Sequence, residues 1–166
     1  MREFALWRIP GPGGLDMRVY LVIIDETDEA LVALRFASRR ATKTEGSMHL
    51  LALVPPQPFS AFGGVQATIE EEARSRAEAL VTAAASNIYS ESGKMPVISV
   101  KVGEGIKVVR EYLGEHPEIA ALVLGAAVEG GPGPLVSHFT GAAAGQLPCP
   151  GFVGPGSLGE ADIDRL

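Results

Sequence analysis

Hydrophobic and polar positions follow two patterns along this chain. Short runs of Val, Ile, Leu and Met residues are nearly continuous, which is typical of strands covered on both faces in a parallel sheet. Longer stretches between the runs repeat their apolar residues at helical spacing. The runs predict five strands, at residues 18–24, 48–54, 96–102, 121–124 and 151–153, of which the last is the weakest.

The stretches between the strands predict four helices. The first has Thr27 or Asp28 as its N-cap, because either side chain can accept a hydrogen bond from a free backbone N–H group, and it continues to about Thr42. The other three are expected at residues 69–88, 106–113 and about 140–147, with a long loop at 57–68. Alternating strands and helices indicate an α/β fold with a parallel sheet and helices on both faces.

The chain has 166 residues, which suits one domain and is too short for two of ordinary size. Proline and glycine residues at 10–14 are expected to separate an N-terminal arm, residues 1–16, from a single domain at 17–154. Residues 155–166 are predicted to form a C-terminal tail. The arm has two interpretations: a leader, or an arm that docks on a partner subunit through Trp7.

Charge and cysteine content narrow the functional classes. A formal charge of −6 disfavours nucleic acid and anionic membranes as partners. Cys149 is the single cysteine, so neither an internal disulfide nor a cysteine cluster with metal spacing is available. The N-terminus lacks the continuous apolar segment of a signal peptide, and no stretch has the length of a membrane span. We therefore expect a cytoplasmic protein without a metal centre.

A ligand is expected at the carboxyl ends of the strands, because open α/β sheets bind ligands there. Asp25 directly follows the first strand, and a glycine-rich loop, residues 125–138, follows the fourth. Asp25 has two interpretations: it accepts hydrogen bonds from a ribose or a base, or it caps the neighbouring helix. The other strand ends contribute Leu53, Val54 and Val102.

No catalytic group emerges from the sequence, so we expect a protein that is not an enzyme. Ser137 precedes His138, but a nucleophile and its base must face each other and be oriented by a third group. His49 and His116 are interpreted as structural or surface residues.

Four segments, in the right order, resemble the universal stress protein family. VYLVIIDETDEALVALRFA is similar to that family's opening strand, acid and alanine-rich helix. LLALVPP is similar to its second strand, ALVLG to its fourth, and LPCP to the entry to its last. The resemblance covers about residues 17–153. It implies a five-stranded parallel sheet in the order 3-2-1-4-5, of the adenine nucleotide alpha hydrolase-like type, and a homodimer, commonly paired through the fifth strands.

Nucleotide-binding members of that family carry a glycine motif: glycine, two residues, glycine, nine residues, then glycine and a small hydroxyl residue. Gly125 matches the first position, and Val128 stands at the second. The final pair is His138 and Phe139 by strict counting, or Ser137 and His138 when the loop is aligned on LPCP. Neither alignment restores the glycine, so the loop is a diverged one.

The resemblance also assigns the ligand's other contacts. Asp25 matches the acid that binds base and ribose, and Leu53 or Val54 matches the apolar contact on the adenine side. Three more glycines can still supply a cradle of backbone N–H groups to phosphate: Gly130, Gly131 and Gly133.

The charge near the loop is unfavourable to phosphate. No Lys or Arg occurs between Arg110 and Arg165, and Glu129 lies inside the loop. A bound phosphate would depend on backbone N–H groups, on Ser137 or on a protonated His138. The predicted function is a regulatory domain that binds an adenine nucleotide, AMP or ATP. The alternative is a dimeric interaction module of the same fold that binds no nucleotide.

Overall fold

The structure is a computed structural model that describes residues 18–57 and 63–166; the predicted arm at 1–16 lies outside the described residues. The strands are Val19–Ile24 (β1), Ser47–Val54 (β2), Val97–Val102 (β3), Ile119–Ala126 (β4) and Gly151–Pro155 (β5). The helices are Asp28–Lys43 (α1), Gly63–Ser92 (α2), Gly105–Glu115 (α3), Pro134–Thr140 (α4) and Glu160–Asp164 (α5). A 3₁₀ turn lies at Ala144–Gln146. Among residues 18–57 and 63–166, no helix is long and apolar enough to cross a membrane.

The strands form one parallel sheet in the order β3-β2-β1-β4-β5, which confirms the predicted topology. The strand β1 is central: Val22 lies beside Leu50 of β2 on one side and beside Val123 of β4 on the other. The order of the strands therefore reverses between β1 and β4. In folds of this kind the carboxyl ends of these two strands diverge and leave a crevice.

Helices cover both faces of the sheet, as predicted. On one face, alternate strand residues such as Val22, Leu50 and Val123 pack against α1 and α2. On the other face, the intervening residues, such as Leu21 and Leu122, pack against α3 and α4. The central strands are therefore apolar on both sides, which explains their continuous hydrophobic runs.

The prediction of a helix at about 140–147 is wrong. The helix α4 lies earlier, at Pro134–Thr140. Proline is favoured in the first turn of a helix, where its missing N–H has no partner to lose, and Pro134 occupies that place. Val136 and Phe139, three positions apart, are the buried residues of α4. Beyond Gly141, the alanine-rich segment forms only the 3₁₀ turn.

The predicted loop at 57–68 is also too long. The helix α2 begins at Gly63, so residues 63–68 are helical. The paired glycines at 63 and 64 indicated a loop, but glycine is tolerated at the start of a helix.

Part of the predicted tail at 155–166 belongs to the fold. Pro155 is the last residue of β5 and lies beside Ala126 of β4. The short helix α5 packs on α1, where Ile163 is 1% exposed. Arg35 of α1 donates two hydrogen bonds to the Asp164 carboxylate, at 2.9 and 2.6 Å. These contacts tie the end of the chain to α1.

Candidate functional site

A cleft of about 220 Å³ opens at the switch point between β1 and β4. Its walls come from the end of β1, the first turn of α1, the end of β2 and the loop between β4 and α4. The residues that give the cleft its chemical character are Asp25, Thr27, Glu29, Leu53, Gly125 and the segment 132–136. The structure therefore brings the ends of three strands together where the sequence predicted a ligand.

Asp25 organises the entry to α1. Its Oδ1 accepts hydrogen bonds from the backbone N–H of Thr27 at 2.9 Å and from the Thr27 hydroxyl at 2.5 Å. The Thr27 Oγ1 in turn accepts a hydrogen bond from the Ala30 N–H at 3.2 Å, so Thr27 is the N-cap of α1. The Asp25 side chain is exposed, and within the described residues its Oδ2 receives no hydrogen bond. One oxygen thus supports the cap, and the other is available to a ligand.

The first glycine of the predicted motif has a packing role. A Cβ atom at Gly125 would lie 1.9 Å from the backbone carbonyl oxygen of Glu29. No side chain fits between the end of β4 and the first turn of α1, so glycine is required here whether or not a ligand binds. This close approach brings Glu29 into the wall of the cleft.

The other loop glycines have the left-handed backbone that favours glycine, with φ of 75° at Gly130, 88° at Gly131 and 100° at Gly133. A hydrogen bond of 3.2 Å from the Ala127 N–H to the Pro132 carbonyl closes the loop. Gly133 lines the cleft, whereas Gly130 and Gly131 lie outside the lining. The turn therefore accounts for the conformation of Gly130 and Gly131, whereas Gly133 is the N-cap residue of α4.

Four of the ten predicted site residues line the cleft: Asp25, Leu53, Gly125 and Gly133. The other six lie outside the lining: Val54, Val102, Gly130, Gly131, Ser137 and His138. Val54 is 1% exposed, because neighbouring strand residues point to opposite faces and only Leu53 faces the cleft.

Ser137 and His138 lie in α4, beyond the turn that borders the cleft. Ser137 is exposed, and the half-buried His138 has no hydrogen-bond partner at Nε2 in the described residues. The nearby cleft residues are instead Pro134, Leu135 and Val136. Pro134 was the available signal: a helix that begins at this proline places its first turn, residues 134–136, at the cleft.

The charge of the cleft is negative. Asp25, just before the N-cap of α1, and Glu29, the second residue of that helix, both line the cleft. Among the described residues, the lining contains no Lys, Arg or His. The remaining wall is mostly apolar, from Ile23, Leu53 and Leu124 among others. Sequence reasoning identified Asp25 but missed Glu29, because Glu29 reaches the cleft through the tertiary approach of β4 to α1 at Gly125.

A second polar group, the His49 cluster, lies near the amino end of β2, away from the cleft; it comprises His49, Tyr112, His116 and Glu118. The His49 Nδ1 is 2.8 Å from the Tyr112 hydroxyl, and the His116 Nδ1 is 2.9 Å from the Glu118 Oε1. Burial is the main cause that lowers the pKa of His49, and the nearby His116 adds to it. Burial also raises the pKa of Tyr112, against the effect of a hydrogen bond to Ser99.

The Glu118 pKa is lowered, first by a hydrogen bond to its own backbone and next by His116. Nothing in the sequence groups these residues, because His49 is separated from the other three by more than sixty positions.

The sequence profile of the universal stress protein family matches residues 17–153. No curated protein sequence matches the chain. Solved structures of similar fold include UspA from Lactobacillus plantarum, with 21% identity and a TM-score of 0.68, covering 82% of this chain and 96% of that one. A family protein from Burkholderia pseudomallei has 13% identity and a TM-score of 0.64, covering 86% and 98%.

A third solved structure is a universal stress protein in complex with cAMP, with 15% identity and a TM-score of 0.50, covering 82% of this chain and 96% of that one. At these identities the structures support the fold, and the profile match over most of the chain supports the family. The chain belongs to the universal stress protein family.

Proposed function

We propose that this domain binds an adenine nucleotide in the cleft between β1 and β4, and that it acts in the cytoplasm as a regulatory binding protein. The observation that carries the proposal is the position of Asp25. Its Oδ1 is held by Thr27, and its Oδ2 is left for a ligand at the carboxyl end of the central strand. Leu53 lines the same cleft and offers an apolar surface to a base.

The chemistry of the lining favours a nucleotide with one phosphate. A carboxylate oxygen accepts hydrogen bonds from ribose hydroxyls or from an exocyclic amine. A triphosphate, in contrast, would add several negative charges near Asp25 and Glu29, with no cationic side chain among the described lining residues. A monophosphate such as AMP adds fewer. One relative was solved with cAMP, which also carries a single phosphate.

Binding without turnover is the second part of the proposal. The described lining contains no histidine or cysteine, and the one hydroxyl, that of Thr27, already bonds to Asp25 and caps α1. Asp25 and Glu29 are therefore the only ionisable groups of the described lining. We expect no release of phosphate above the background rate when the purified protein is incubated with ATP and magnesium.

Calorimetric titration with AMP and ATP, with and without magnesium, tests the proposal. We expect AMP to bind more tightly than magnesium-free ATP. Asp25→Ala should weaken AMP binding by about 10-fold or more, because a hydrogen bond to a charged group contributes roughly 1.5–3 kcal/mol. Asp25→Asn keeps an acceptor for Thr27 but removes the charge, so it should also weaken binding while α1 remains capped.

Asp28→Asn is the matched control, since Asp28 is an exposed acid three positions away that does not line the cleft. It should leave the affinity unchanged. The proposal fails if neither nucleotide gives heat or a thermal shift up to millimolar concentration, or if Asp25→Asn and Asp25→Ala bind AMP as well as the parent protein.

We also infer that the protein is a homodimer that pairs through β5. The strand β5 bonds to β4 along one side only, and no strand of the described residues covers its outer side. Phe152 and Val153 on this strand are each 40% exposed. An uncovered edge strand with apolar side chains is a natural template for pairing with another strand.

A further inference from the structure

We propose that His49, His116 and Glu118 form a binding site for one divalent transition-metal ion of the zinc type. The site lies near the amino end of β2, whereas the nucleotide cleft lies at the carboxyl ends of the strands. The two sites share no residue, so this proposal does not depend on nucleotide binding.

The three side chains converge on a small volume. The Glu118 Oε1 lies 2.9 Å from the His116 Nδ1 and 3.9 Å from the His49 Nε2. One ligand atom from each residue lies within 4.8 Å of the others. Ligand atoms of a tetrahedral zinc ion, at bond lengths of about 2.0–2.2 Å, are separated by roughly 3.4 Å. Adjustments of about 1 Å therefore convert this cluster into a coordination shell.

Two of the three side chains are exposed enough to move toward an ion, and the third is buried and held in place. The side chains of His116 and Glu118 are 30% and 48% exposed, so they can rotate toward an ion. Both residues lie in the short connection between α3 and β4, which two backbone hydrogen bonds hold in place. The His116 N–H donates to the Tyr112 carbonyl at 3.0 Å, and the Ile119 N–H donates to the His116 carbonyl at 3.1 Å.

His49 is the anchored ligand, with 6% of its surface exposed. Its Nδ1 bonds to the Tyr112 hydroxyl, which leaves Nε2 directed toward Glu118. A histidine that ligates a metal commonly uses its other ring nitrogen in a hydrogen bond of this kind, which fixes the tautomer and the ring. Tyr112 is itself 2% exposed, and its hydroxyl is 3.4 Å from the Ser99 Oγ. The ring of Tyr112 also packs on that of His116, with centroids 4.2 Å apart.

The donor set selects the class of ion. Magnesium and calcium prefer shells composed of oxygen, whereas imidazole suits zinc, copper, nickel and related ions. Two imidazoles and one carboxylate leave a fourth position for water, next to a partly exposed Glu118. An ion bound here would join β2 to the connection between α3 and β4, and so stabilise the folded state.

Titration of the metal-free, untagged protein with Zn²⁺ tests the site by calorimetry and thermal unfolding. We expect one ion per chain and a higher melting temperature. Substitution of Co²⁺ for Zn²⁺ should produce visible d–d absorption of the intensity typical of four-coordinate cobalt. Absence of saturable binding at one ion per chain, or of any thermal shift, would overturn the proposal.

Variants locate the ion. His116→Ala and Glu118→Gln change partly exposed side chains, and circular dichroism of the metal-free proteins checks their fold. Each should weaken Zn²⁺ binding by more than about 10-fold and abolish the thermal shift. Tyr112→Phe, which retains the ring but loses the hydroxyl, should cost about 10–100-fold in affinity, as is typical for an outer hydrogen-bond partner of a metal ligand.

Glu115→Gln is the control, because Glu115 is an exposed acid next to His116 that lies outside the cluster. It should bind Zn²⁺ like the parent protein. Equal affinity in His116→Ala and the parent protein, or equal losses in Glu115→Gln and Glu118→Gln, would show that zinc binds elsewhere and would contradict the assignment.

Discussion

At Gly125 the backbones of β4 and α1 touch, and this contact predicts a specific effect on stability. In Gly125→Ala the added methyl group would meet the Glu29 carbonyl oxygen at 1.9 Å, so β4 or α1 must shift. We expect a loss of about 1–3 kcal/mol or more in the free energy of unfolding, as is typical of overpacking. Urea unfolding followed by circular dichroism measures it.

Gly114→Ala is the matched control for that substitution. Gly114 lies in the last turn of α3, and a Cβ atom there meets nothing within 4 Å. Alanine should leave stability unchanged or raise it by up to about 1 kcal/mol, because alanine favours the helix more than glycine does. If Gly125→Ala unfolds at the same urea concentration as Gly114→Ala, the packing explanation of Gly125 is wrong.

The residues of the cleft show which site features are readable from a sequence. Asp25 and Gly125 were predictable because each directly follows an apolar run that predicts a strand. The carboxyl ends of parallel strands lie at the same edge of the sheet, where a ligand binds. Val54 was predicted with Leu53, but only one of two consecutive strand residues can face the cleft. The sequence indicates only structural or surface roles for His49 and His116, because their contact depends on how β2 packs against the end of α3. That packing is set by the tertiary fold and not by local sequence.

Among the elements, α4 is the one whose position the sequence pattern predicted wrongly. The alanine-rich segment after Thr140 resembles a helix by composition, yet alanine buries little apolar surface and the glycines at 141 and 145 disfavour a helix. The shorter segment before it contains Pro134 as a start and two larger apolar residues, Val136 and Phe139, which pack on the sheet. Burial against the sheet therefore outweighed helix propensity in placing this element.

The element α5 carries a second stability prediction. Ile163 is 1% exposed and is the buried residue of this short helix, so Ile163→Ala should lower the free energy of unfolding by about 2–4 kcal/mol. Leu166→Ala is the control: Leu166 lies near the same helix but is 57% exposed, so its loss should cost no more than about 0.5 kcal/mol. Equal unfolding midpoints for the two variants would show that residues 160–164 do not contribute to stability as a packed helix.

For the whole molecule, the number of strands and their parallel sheet followed from the hydrophobic pattern, the strand order 3-2-1-4-5 followed from the family resemblance, and the boundaries of the elements were predicted less well. The runs that became β1, β2 and β4 are buried on both faces, which makes their pattern unambiguous. The weak strand at 151–153 proved to extend to Pro155, because pairing with β4 supplies the stability that its glycines lack. Proline is compatible with β5 because this strand lies at the edge of the sheet, where one side of the backbone needs no partner.

The open edge of the sheet at β5 predicts that the protein forms a homodimer. Size-exclusion chromatography with light scattering at micromolar concentration should give the mass of a dimer. Val153→Lys places a charge on the exposed part of β5 and should weaken the dimer by at least about 10-fold, because edge lysines oppose strand pairing. Val97→Lys is the matched control, since Val97 lies on β3, the opposite edge of the sheet, and is 49% exposed. The dimer should survive Val97→Lys. A monomeric parent protein would refute the homodimer, and dissociation by Val97→Lys alone would place the interface on β3 instead.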